Sequence, residues 1–77
     1  MIPTKEQNEK GLYQKYNISR TDGKPIDPEN EYFILKVAGK GDPNHIEACR
    51  KAVVSYAVNI EPYLPELAKD LIDRYGS

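Results

Sequence analysis

Few side chains in this sequence could do chemistry. His45 is the only histidine and Cys49 the only cysteine. His45 falls in the first turn of an expected helix, where the helix dipole disfavours the imidazolium. A solvent-facing residue near a cap outweighs a general base there, since the sequence puts no evident nucleophile with it. Cys49 lies among apolar positions of the same helix, and a buried, reduced thiol outweighs a reactive one. Asp22, Asp27 and Glu29 share one loop, but their spacing matches no calcium loop, and turn chemistry accounts for Asp22. Gly39-Lys40-Gly41 leads into a helix N-terminus, a place that attracts anions. Asp42 competes for the same N–H groups, and no Lys-Ser/Thr pair follows, so an ordinary strand-to-helix connection is the simpler reading. The richest set is Lys15, Arg20 and Lys24 with Tyr13, Tyr16 and Tyr32. Guanidinium forks and tyrosine rings can hold a phosphate and stack a base. Arginine and tyrosine are also enriched at protein interfaces, and Ile34 beside Tyr32 favours that use. The candidate partner- or ligand-binding residues are therefore Tyr13, Lys15, Arg20, Lys24, Tyr32 and Ile34. No catalytic, metal or cofactor residues are assigned.

The elements that must position these residues follow from hydropathy patterning. Residues 1–11 are polar, and they read as a flexible N-terminal arm, with residues 12–77 as one domain. From Leu12 to Thr21, alternation puts Tyr16 and Ile18 on one face of a strand, with Tyr13, Lys15, Asn17 and Ser19 opposite. Asp22-Gly23 is a turn signal, and Pro25 and Pro28 extend the irregular stretch. Phe33, Leu35 and Val37 then alternate toward a core, with Tyr32, Ile34 and Lys36 pointing away. Asp42-Pro43 is a strong helix start. Ile46, Cys49, Val53, Tyr56, Ala57 and Ile60 form one apolar stripe. Pro62 and Pro65 end that helix and open another, striped by Leu64, Leu67, Ala68, Leu71, Ile72 and Tyr75 and closed by Gly76. The expected fold class is α+β, a two-stranded antiparallel hairpin followed by two amphipathic helices (ββαα), with pairing of sheets in a homodimer as a way to cover open strand edges.

Composition bounds the function. Seventy-seven residues make one small domain whose core is marginal without a staple, a metal or a partner subunit. One cysteine excludes an internal disulfide, and no Cys/His cluster provides structural zinc. Self-association is then the most available source of further burial. The net charge of −1 argues against a dedicated nucleic-acid binder or an acidic DNA mimic. Residues 1–40 carry seven basic and six acidic side chains, residues 41–77 four and six, so neither half holds a block of like charge. Apolar runs are too short to span a bilayer, and no signal-peptide core follows Met1, so an intracellular, soluble protein is expected.

Lys15-Tyr16-x-Ile18-x-Arg20-Thr21-Asp22-Gly23, then Tyr32-Phe33-Ile34-Leu35, Asp42-Pro43 and Leu67-Ala68-Lys69-Asp70-Leu71, resemble a family of small uncharacterised proteins of tailed phages and prophages. The likeness covers roughly residues 13–72. Relatives often carry more residues, including a cysteine, before the Tyr-Phe pair, and the loop from Lys24 to Asn30 lacks that cysteine. The resemblance implies a phage-encoded accessory protein in the host cell cytoplasm and supplies no activity. Together with the absence of a catalytic constellation, it points to a non-enzymatic binding protein that inhibits a host defence protein through an exposed apolar strand. The alternatives are an oligomeric sponge for a nucleotide-derived immune signal, and a minor virion or scaffold component. The expected partners are a host protein and further copies of the chain, with a nucleotide-derived small molecule as a third candidate. Neither DNA nor membrane is expected.

Overall fold

The computed structural model describes residues 2–76. Its regular elements are two helices, α1 (Pro43–Ile60) and α2 (Pro65–Tyr75). The chain divides into two compact units, Met1–Ile34 and Leu35–Ser77.

In the second unit, helix α1 begins where the sequence places it. The Asp42 carboxylate accepts a hydrogen bond from the Asn44 backbone N–H at 2.9 Å, the Ile46 N–H donates to the Asp42 carbonyl at 3.1 Å, and Pro43 opens the first turn. One otherwise orphaned N–H is thereby satisfied by the cap, and proline's missing donor is harmless at this position. Replacing Asp42 with alanine is expected to destabilise the helical unit by about 1 kcal/mol. The readout is a lower urea midpoint at unchanged slope; an unchanged midpoint would show that the cap contributes nothing.

The turn after α1 is closed by the Tyr63 and Leu64 N–H groups, which donate to the Ile60 carbonyl at 2.9 and 2.8 Å. Pro65 then opens α2, with Glu66 in its first turn and Arg74 in its last, each on the side the helix dipole favours. The two helices pack against each other. Ala57 and Ala68 are buried, as is Cys49, and no large side chain among the described residues is fully buried. Small residues let two helical backbones approach closely, with the larger neighbours Ile46, Val53, Ile60 and Leu71 half-buried around them. The apolar stripes thus face inward along their centres. Their flanks, Tyr56, Leu67 and Ile72, remain at least 40% exposed.

The first unit corrects the expected architecture. Among the described residues there are two helices and no strand, so the secondary structure is all-α and not ββαα, and there is no sheet for a second copy to extend. Backbone hydrogen bonds within residues 2–34 are mostly local. The Gln7 and Asn8 N–H groups donate to the Thr4 carbonyl, Gly23 to Arg20, and Asn30 to Asp27. One longer bond, from the Gln14 N–H to the Pro3 carbonyl at 2.8 Å, closes the loop between them. The physical reason is that alternation offers a strand a face but no ladder. An isolated two-stranded hairpin is marginal in water, and here the connection carries two prolines without N–H donors. Phe33, expected to point toward a core, is 72% exposed.

Candidate functional site

Apart from the Gln14 N–H bond to Pro3, the backbone turns of residues 12–34 join close neighbours in sequence. The Asp22 carboxylate organises one of them. Arg20 donates to it from Nε at 3.0 Å and from Nη2 at 2.7 Å, and the Lys24 backbone N–H donates to Oδ1 at 3.0 Å. The Arg20 fork, and after it the Lys24 N–H, hold the Asp22 carboxyl below its ordinary range, and Asp22 in turn raises Arg20. A depressed carboxylate pKa stabilises the turn at neutral pH, and that contribution is lost as pH falls through the lowered value. The Lys24 amide resonance is therefore expected to titrate with a midpoint below the ordinary aspartate range. A midpoint within that range would show that the Arg20–Asp22 pair does not persist in solution. A second turn is built in the same manner, with the Glu29 N–H donating to the Asp27 carboxylate at 2.9 Å.

Among many exposed polar side chains, these turns also present apolar ones. Leu12, Tyr16, Ile18, Tyr32, Phe33 and Ile34 are between 41% and 72% exposed. A cavity of about 270 Å³ lies among Tyr16, Ile18, Ile26, Tyr32 and Ile34, with Asp27 and Glu31 also in its lining. The six residues proposed from sequence separate into two groups. Tyr32 and Ile34 line this cavity, together with Tyr16. Tyr13, Lys15, Arg20 and Lys24 do not. The Lys15 ammonium lies 5.7 Å from the Tyr13 ring centre, a cation–π contact, and the Arg20 fork is taken up by Asp22. Arg20 is thus committed to a carboxylate of its own chain.

Elsewhere, the His45 ring Nε2 lies 3.6 Å from the Cys49 thiol. Their i, i+4 spacing on one helix face brings the two together. His45 is exposed, whereas Cys49 is 3% exposed, which leaves the thiol a packed helix residue. Among the described residues, no group of three or more His, Cys, Asp or Glu is arranged to hold a metal ion.

The residue that sequence reasoning missed is Arg50. It sits on the packed side of α1, four positions after Ile46 and four before Val54, and is half-buried. Its Nε donates to the Val37 carbonyl at 2.7 Å, and its guanidinium lies 5.9 Å from the Tyr75 ring centre. Arg74 approaches the same ring at 5.8 Å. A cation inside an apolar stripe was the available signal, because such a residue must either extend to water or find a partner.

No helix among the described residues is long and apolar enough to cross a membrane. No protein-family model, curated protein or solved structure matches this chain.

Proposed function

We propose that this chain is a small non-catalytic accessory protein that works by binding another protein through the apolar surface of residues 12–34. The observation that carries the reading is the exposure of Tyr16, Ile18, Tyr32, Phe33 and Ile34 beside a small cavity, in a unit held by local turns. Surfaces of this composition, aromatic and aliphatic with a polar rim, are what protein interfaces use as anchors. The resemblance to phage proteins directs the search to host cytoplasmic defence proteins and makes inhibition the effect to test. The experiment is capture of host proteins on immobilised wild type and on Ile34→Asp. A host protein retained by the wild type and lost with the variant supports the reading, and equal retention of every protein by both overturns it.

Self-association is the second reading, favoured by a different observation. Tyr63 is 78% exposed, and Tyr56, Leu64 and Leu67 add further open apolar area on the helical hairpin. Sedimentation equilibrium tests it, and a monomer throughout the accessible concentration range would remove it. The nucleotide-sponge reading loses weight because Arg20, its expected phosphate fork, is engaged by Asp22.

A further inference from the structure

The second unit holds a site of a different kind. We infer that the groove beside Arg50 binds an organic carboxylate carried on an apolar body.

An open cavity of about 870 Å³ lies between the Gly39–Gly41 loop, the first half of α1 and the end of α2. This is within the size range of ligand sites, about 300–1,000 Å³. Its wall is made of Pro43, Ile46, Val54 and Tyr75, and Lys40, Arg50, Lys51 and Glu47 bring charge to it. Glu47 is already matched, because its carboxylate lies 3.4 Å from the Lys51 ammonium. Among the described residues, neither Lys40 nor Arg50 forms an ion pair with a carboxylate. The groove therefore carries an excess of two positive charges in a chain whose net charge is −1.

Arg50 is also held in place before any ligand arrives. Its Nε is occupied by the Val37 carbonyl, and its plane is near the Tyr75 ring. The side-on face of the guanidinium is thereby used, which leaves the end-on pair, Nη1 and Nη2, for a bidentate acceptor. Fixing the fork in advance reduces the ordering cost of binding. The Gly39–Gly41 loop also lines the groove. Gly39 and Gly41 have φ of 103° and 139°, values that side-chain-bearing residues rarely adopt, and the Lys36 ammonium donates to the Lys40 carbonyl. The groove is thus lined by an anchored arginine, a lysine and apolar side chains. A carboxylate fits the fork, and an aliphatic or aromatic body fits Ile46, Val54 and Tyr75.

Two sources could present that chemistry, a free organic acid or a glutamate within a peptide. Titration of the isotopically labelled full chain, followed by amide resonances, separates them. The probes are phenylacetate, N-acetyl-Leu-Glu-Leu amide, its glutamine counterpart and inorganic phosphate. Saturable shifts at Gly39, Lys40, Gly41 and Tyr75 are expected with phenylacetate or with the glutamate peptide, the tighter one naming the source. Arg50→Lys keeps the charge but loses the fork, so binding is expected to weaken roughly tenfold, about the worth of one charge-assisted hydrogen bond. Lys40→Gln is expected to weaken it about threefold, and it decides the matter if Arg50→Lys loses helical structure. Arg20→Gln should change nothing. The inference is overturned if neither carboxylate shifts these amides. It is equally overturned if the glutamine peptide or phosphate binds as well as the carboxylates, or if the Arg50 and Lys40 variants bind like the wild type.

Discussion

Ala57→Asp is expected to abolish most of the helical circular dichroism of the chain. Ala57 is wholly inaccessible to solvent, on the face of α1 that packs against α2. An aspartate there would place a carboxylate without a partner among apolar neighbours, at a cost of several kcal/mol. The added volume would also push apart helices that meet through small side chains, for about 1–3 kcal/mol more. A domain of this size has only about 3–5 kcal/mol to lose. The control is the next residue. Val58 is 59% exposed, and Val58→Asp is expected to shift stability by no more than about 0.5 kcal/mol. If the two variants melt alike, Ala57 is not at a packed contact and the helical hairpin is wrongly described.

The second large effect concerns binding. Ile34→Asp is expected to weaken capture of the partner by at least about thirtyfold, corresponding to about 2 kcal/mol. The change removes an aliphatic anchor and requires a new charge to be stripped of water when the surface is covered. Tyr32→Ala should weaken binding by a similar order, since truncated tyrosines are among the costliest interface losses. Neither change should unfold the helices. Tyr32 and Ile34 are 49% and 42% exposed and belong to the turn-built first unit. Thermal midpoints of both variants are expected within about 4 °C of the wild type. Loss of binding together with loss of helical structure would mean that these residues support folding.

The helices were legible because their signals are local. Asp42-Pro43 starts α1, Pro65 starts α2, and the apolar stripes repeat over enough turns to exclude other periods. The strands were misread for a related reason. Tyr16 and Ile18, and later Phe33 and Leu35, do alternate, but a strand exists only when a distant segment supplies its ladder. In residues 2–34 the side chains of Asp22 and Asp27 take the turn N–H groups, and no ladder forms. The candidate site was legible in part. Tyr32 and Ile34 line the cavity, whereas the bidentate pair of Arg20 with Asp22, two residues away, depends on backbone curvature that residue types do not reveal. Arg50 lies inside an apolar stripe, where its role depends on the Val37 carbonyl and the Tyr75 ring that folding brings to it.

The most direct measurement is photo-cross-linking in host cells with a benzophenone amino acid at Phe33, which is 72% exposed, compared with the same group at Lys69 on α2. One discrete adduct to a host protein is expected from position 33 and none of comparable yield from position 69. Adducts from position 33 no more abundant or discrete than those from position 69 would contradict it.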